Sequence, residues 1–350
     1  MDLGVFFEFP TRPGLSQAKV FEESFLQIQL AERLGLDSIW LAEHHFSPDR
    51  SVLSSPLVLA SAIASRTSRI RVGTAVQVLP LGNPIRLAEE VATLDHICQG
   101  RFEFGVGRSG APSGYIGYNK SYSESRARFY ETLDILQKAW TEESFSYSGT
   151  FFKYENVSVI PKPFQKPHPP IRMAANSANS FPSAAIMGLP IFVGLRGVPT
   201  VLTERVQSYE SAWHESGQPG KSDVSLRVPI YVAESIEEAY SDPAESAMNF
   251  YDRLGDSLAE PLPGLPEEEN LDRAVRAQRL KNITYEEVLK TDTAFGTPEA
   301  VVERLLELKD ELGLSGIIAE VNFGGLLPRE KVANSIQLFG EKVVPKLRQG

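Results

Sequence analysis

Along this chain, short runs of β-branched and aromatic residues alternate with longer stretches in which apolar residues recur three and four positions apart. That alternation predicts repeated βαβ units and a parallel sheet. Eight short runs carry it: Leu3–Phe9, Ser38–Glu43, Ile70–Gln77, Arg101–Val106, Ile171–Ala175, Leu189–Val193, Leu226–Val232 and Gly316–Val321. Most are apolar on both faces, as strands covered by helices must be. Eight such strands with interleaved helices predict an α/β fold, a closed (β/α)8 TIM barrel with insertions. The helical stretches are punctuated as helices should be. Phe21, Phe25, Ile28 and Ala31 recur until Gly35, and Phe129, Leu133, Leu136 and Trp140 form one stripe. Thr297 and Pro298 open the last long crossover helix and Gly313 closes it. The sequence has no fixed-period repeat, which sets aside solenoids and propellers.

Two stretches exceed the minimal repeat. Phe145–Pro170 reads as a hairpin and a proline-rich connector at a barrel edge, with Phe145, Tyr147, Phe151 and Tyr154 flanking a turn at Ser148–Gly149. Ala233–Phe295, after the seventh run, is rich in acid and proline around Glu260–Arg273. It is too polar for core and too long for a plain βα loop, and so is a candidate active-site lid. The 350 residues are read as one elaborated barrel domain, since barrels of this kind run to such lengths with insertions.

Composition narrows the partners. The net charge of −10 disfavours nucleic acid and anionic membranes, which select a basic face, so a phosphate-bearing ligand needs locally placed arginines. The single cysteine, Cys98, forbids an intramolecular disulfide and fits a reducing, cytoplasmic setting. The first apolar run is short, contains Glu8 and lacks a basic leader or cleavage site, and no apolar window is long enough to span a membrane.

In a barrel the chemistry is built at the carboxyl ends of the strands. After the second run stands Ala42–Phe46, AEHHF. Neighbouring strand residues point to opposite faces, so His44 and His45 do not form a joint metal site. His96, His168 and His214 stand singly, and no metal is expected. His44 is either a functional group or a hydrogen-bonded structural histidine. The fourth run ends in Gly100–Gly110, GRFEFGVGRSG, whose glycines allow close backbone approach without matching the dinucleotide fingerprint. Arg108 there is either an anion ligand or a surface arginine. Arg126 falls in a first helical turn, where a cation opposes the helix dipole unless an anion lies between. Asn176–Ser180, NSANS, places small polar side chains at another helix start. The strand ends offer no lysine for Schiff-base lyase chemistry.

At larger scale the residues form a recognisable pattern: WLAEHHF (Trp40–Phe46), RVGTAVQVLPLGNPIRLAEEVATLDHICQGRFEFGVGR (Arg71–Arg108), SRARF (Ser125–Phe129), MAANSANS (Met173–Ser180) and VNFGG (Val321–Gly325). The chain thereby resembles the bacterial luciferase family over nearly its whole length, most loosely in Val198–Ala294. The resemblance implies a barrel that binds reduced FMN and uses O2 to oxidise a small aldehyde- or ketone-like substrate. It further implies an NAD(P)H:flavin reductase as the source of reduced FMN, and a homodimer. His44 matches the family's catalytic histidine, a general base or hydrogen-bond donor at the substrate carbon. Arg108, Arg126, Asn176, Ser177 and Ser180 fall on the FMN phosphate positions, with Asn176 where the luciferase α subunit has an acid. Ala75 and Val76 match a non-proline cis peptide beneath the flavin ring. Gly107 replaces a reactive cysteine of the light-emitting subunit, which argues against light emission. A deazaflavin-dependent hydride transferase and a non-catalytic flavin-binding subunit are the alternatives; the presence of His44 weighs against the second.

Overall fold

The computed structural model describes residues 1–195, 199–262 and 264–349. Pro263, inside the predicted insertion, and Gly350, at the end of the predicted domain, lie outside the described residues.

All eight expected strands form, and together they close a parallel barrel. They are β1 (Asp2–Phe7), β2 (Ser38–Leu41), β3 (Arg71–Thr74), β4 (Phe102–Gly107), β5 (Ile171–Ala174), β6 (Ile191–Gly194), β7 (Val224–Val232) and β8 (Gly316–Glu320). Each pairs with the next, and β8 returns to β1 with Leu3 opposite Ile317 and Val5 opposite Ala319. The period of two along β1 divides its residues between two cores. Leu3, Val5 and Phe7 pack outward beneath the helices, whereas Phe6 turns inward to join Trp40, Ala42, Phe192 and Ile318 in a separate inner plug. Trp40 requires its neighbour to be small, because a Cβ on Gly73 would coincide with its ring.

The helices follow their sequence signals. Gln17–Arg33 stops before Gly35, which takes φ 81°. Ser125–Thr141 buries Phe129, Leu133, Leu136 and Trp140, the stripe read from the sequence. Pro298–Leu312 is capped by the Thr297 hydroxyl and ends at Gly313 in the left-handed conformation. No described helix is long and apolar enough to cross a membrane.

The hairpin is present with a different turn. Phe145–Ser148 pairs antiparallel with Lys153–Val157 as a separate two-stranded sheet, Ser148 opposite Lys153, so Phe151 belongs to the turn and not to a strand. The Glu131 carboxylate fixes that turn by accepting from the N–H groups of Thr150, Phe151 and Phe152.

The polar insertion also departs from expectation, because it is mostly helix with buried residues of its own. Helices Ile236–Ser241, Ala244–Ala259, Glu267–Lys281 and Tyr285–Thr291 precede a short strand, Ala294–Gly296, that pairs with the end of β7. Phe250, Tyr251, Ala277 and Val288 are buried, and so is Arg273, which donates to the Ser257 carbonyl at 3.0 Å. Composition hid this core because the helices bury only narrow faces and expose acid and base elsewhere. The insertion runs across the carboxyl ends of several strands. Arg253 donates to the Asp49 carbonyl after β2 (2.9 Å) and the Gly324 carbonyl after β8 (2.7 Å), and Ser246 donates to the Phe323 carbonyl (2.6 Å).

Candidate active site

The inward row of β2 runs Ser38, Trp40 and Ala42, and one pleat further the same face presents His44. On β1 the inward row runs Gly4 and Phe6, and the next position is Glu8. Beyond the strands, the segment after β1 is stitched to the loop after β2. Thr11 N–H donates to the Arg50 carbonyl (3.1 Å), Val52 N–H to the Phe9 carbonyl (3.1 Å) and His44 N–H to the Leu53 carbonyl (2.9 Å). These bonds bring three ionisable side chains into contact. His44 Nε2 lies 3.1 Å from Glu8 Oε1, and the Arg50 guanidinium donates to the same oxygen at 2.6 Å.

The electrostatics of the trio follow from burial and charge order. Burial pushes the Glu8 carboxyl upward, but Arg50 and His44 together outweigh it and hold the group well below the ordinary carboxylate value. For His44, burial and then Arg50 act downward against the upward pull of Glu8, and Arg227 adds a smaller downward effect, so its value falls below 6.5. At neutral pH the arrangement is an anionic carboxylate facing a neutral imidazole.

His45 points the other way, as strand alternation requires. Its Nε2 meets Glu43 at 2.7 Å, and the second Glu43 oxygen accepts from Val78 N–H at 2.8 Å, which ties β2 to the segment after β3. Its ring packs edge-on against Tyr118 with centroids 4.9 Å apart. Both side chains of this pair are almost wholly enclosed.

The peptide joining Ala75 and Val76 is cis, as the resemblance implied, and both residues pack against the inner plug. Gly107, at the head of β4, faces this corner. A Cβ added there would lie 2.5 Å from Val76 Cγ2 and 3.5 Å from Ala174 Cβ. Backbone and small side chains from three strand ends thus form a surface that a flat ring could approach closely.

Arg108 follows Gly107 and donates to the Ser125 hydroxyl at 3.1 Å, which aims it at the first residue of helix Ser125–Thr141. Arg126 stands in that first turn, exposed. Neither arginine has a carboxylate partner among the described residues, although the chain carries an excess of acid. The pairing of Val106 with Met173 carries the end of β5 alongside, so Asn176–Ser180 begins next to this corner. There the Ser180 hydroxyl accepts from Asn176 N–H and Ser177 N–H (3.1 Å each) and donates to the Ser177 carbonyl (2.6 Å). Ser180 therefore closes the turn, and the exposed Asn176 and Ser177 side chains are the groups it presents. A cavity of about 590 Å³ opens nearby between Pro112–Arg128 and the insertion, lined in part by Tyr115, Tyr122, Arg128 and Leu262. None of the nine residues implied by the resemblance lines it.

Sequence reasoning missed Glu8 and Arg50. A signal for Glu8 was available, since it continues the inward parity of β1 to the carboxyl end. Arg50 lies in a loop whose pairing with the segment after β1 has no local signature.

This chain belongs to the luciferase-like monooxygenase family, whose model matches residues 1–316. Relatives of this chain include flavin-dependent monooxygenases. An uncharacterised protein of Sinorhizobium fredii is 32% identical over 91% of this chain and 90% of its own length. The oxygenase component of a flavin-dependent trigonelline monooxygenase from Acinetobacter baylyi is 28% identical over 69% of this chain and 67% of its own. Among solved structures, monooxygenase RslO1 from Streptomyces bottropensis superposes with TM-score 0.82 at 28% identity, covering 99% of each chain. The fold alone is shared with two more distant structures. One is the FMN-bound oxygenating constituent of 3,6-diketocamphane monooxygenase from Pseudomonas putida (20% identity, TM-score 0.80, 99% and 98% coverage). The other is an F420-dependent secondary alcohol dehydrogenase (17%, 0.76, 99% of each chain).

Proposed function

We propose that the protein is the oxygenase component of a two-component monooxygenase, binding reduced FMN and using O2 to oxidise a small aldehyde- or ketone-like substrate. When bound, the reduced flavin would supply the oxygen chemistry, which no side chain provides. The observation that carries this reading is the corner at the head of β4. There Gly107 faces the Ala75–Val76 peptide and Ala174, with Arg108 and Arg126 beside it lacking carboxylate partners among the described residues. Ala75, Val76 and Gly107 would seat the ring. Arg108, Arg126, Asn176 and Ser177 would hold the phosphate, and Ser180 would keep their turn closed. Phosphate at the start of helix Ser125–Thr141 would also be favoured by the helix dipole.

His44, one pleat above the inner plug, would move a proton at the substrate carbon. Such a group contributes roughly 10²–10⁴-fold in rate. The 233–295 insertion, already bonded to the loops after β2 and β8, would act as the lid that keeps water out. An NAD(P)H:flavin reductase would deliver the reduced FMN. The enzyme would work as a homodimer in the cytoplasm, a setting in which Cys98, buried and with its thiol pushed up to about 11, stays a thiol.

Anaerobic titration with reduced FMN and reduced deazaflavin, followed by oxygen and a panel of aldehydes and ketones, tests the proposal. Oxygenated product with FMN alone is expected. Turnover with deazaflavin alone, independent of oxygen, would replace this reading with hydride transfer.

A further inference from the structure

Glu8 and Arg50 touch His44 or its partner but belong to no motif in the chain, and their geometry specifies something the histidine alone leaves open. A neutral imidazole carries one N–H, on either Nδ1 or Nε2, and the ring can donate from one nitrogen while accepting at the other. The hydrogen bond to its fixed neighbour decides which.

That neighbour is a carboxylate with no freedom to donate. Glu8 Oε1 takes a charge-assisted bond from Arg50 at 2.6 Å and faces His44 Nε2 at 3.1 Å, and an ionised carboxylate only accepts. Both side chains are largely enclosed, with 11% of Glu8 and 15% of His44 exposed, which limits the access of water to the contact. Glu8 is in turn held by the backbone bonds that join the segment after β1 to the Arg50–Leu53 loop. We propose that Glu8 is a positioning residue that fixes His44 as its Nε2–H tautomer. The ring then offers the substrate an unprotonated Nδ1 and works as a hydrogen-bond acceptor and base. Arg50 keeps Glu8 in the anionic, accepting form. This rests on the reading of His44 as the group that acts on substrate.

The surrounding charges agree with a base that is neutral at rest. Facing the His44–Glu8 pair are Arg50 from the loop after β2, Arg227 from β7 and Arg253 from the insertion. Arg227 is itself paired with Glu320 of β8 at 3.3 Å. Arg253 is likewise balanced in part by Asp49, so what disfavours a resting imidazolium is burial together with Arg50 and Arg227, which act on His44 directly. A proton accepted from substrate at Nδ1 gives an imidazolium whose Nε2–H already points at Glu8, which compensates the new charge where it forms.

Long-range proton–nitrogen correlation spectra of the flavin-free protein with labelled histidine read the tautomer directly, with His44 among five histidines assigned by its loss in His44→Gln. At pH 7.5 the expected spectrum has His44 protonated at Nε2 and bare at Nδ1. A ring protonated at Nδ1, or at both nitrogens, overturns the proposal. Glu8→Gln keeps an acceptor and removes the charge. It should retain the tautomer and move the acid limb of the kcat/KM profile down by about one pH unit, since removal of a nearby opposite charge disfavours protonation. Glu8→Ala should lose the tautomer preference, and Arg50→Met should move the limb up. An acid limb that is the same in all three variants overturns the positioning role. The spectra need neither flavin nor substrate, so the expected tautomer with no oxygenated product from any carbonyl would count against the proposed function alone.

Discussion

Replacing Arg108 with alanine separates recognition of the flavin phosphate from recognition of its ring. Arg108 is half-buried, and its bond to the Ser125 hydroxyl already orients it toward the start of helix Ser125–Thr141, so little side-chain entropy remains to be lost on binding. A charge-assisted bond from such a group is worth about 1.5–3 kcal/mol. At about 1.4 kcal/mol per decade, that corresponds to about 12- to 140-fold weaker FMN binding. Arg126 stands in the same turn but is exposed, where an ion pair is worth about 0.2–1 kcal/mol, or about 1.4- to 5-fold. Riboflavin lacks the phosphate and should bind both variants as it binds the parent protein. Titration of FMN and riboflavin by flavin fluorescence, at low and at 0.5 M salt, gives all the constants required. Equal losses for the two ligands would remove these arginines from the phosphate. A larger effect at Arg126 than at Arg108 would refute the argument from orientation and burial.

Other outcomes follow from the same geometry. Gly107→Ala places a methyl 2.5 Å from Val76 Cγ2, so thermal unfolding should report about 1–3 kcal/mol of overpacking. Flavin affinity should fall with it, whereas Gly110→Ala, with open space around it, should change neither. His44→Ala should abolish product while FMN affinity, by titration, stays within about twofold, because other residues are assigned to the flavin. His45→Ala should cost about 1–3 kcal/mol in denaturant unfolding by leaving the buried Glu43 short of a partner; an unchanged midpoint would contradict its structural role. Stability should fall with acid in two pH windows. His44 is depressed below 6.5, so unfolding takes up a proton and stability begins to fall as pH drops below that value. Glu8 is depressed below 4.5, so the stability it contributes is present above that pH and lost as pH falls through its folded value. Denaturant midpoints from pH 8 to 3 should show both falls in the parent, with the lower one diminished in Glu8→Gln.

Much of the architecture is legible along the chain because local patterns dictate it. Strands covered on both faces must be apolar throughout, and helix ends need Thr297 or Gly313 where backbone groups lose their partners, so the eight strands and three of the long helices can be placed from sequence alone. Strand parity likewise separates His44 from His45, since adjacent residues of an extended chain face opposite ways. The hairpin turn occupies 149–152, overlapping the expected Ser148–Gly149 but extending past Phe151, because the group that fixes it, Glu131, lies on another element. The insertion is more ordered than its composition suggests because its helices bury narrow faces against one another, and the average polarity of the segment does not record that. Tertiary structure alone decides which charges meet. Glu8, His44 and Arg50 converge because backbone bonds join two loops from different strands, and the clearance at Gly107 exists because Val76 and Ala174 arrive there from two other strand ends. Such contacts depend on the closure and register of the barrel, which no local stretch of sequence encodes.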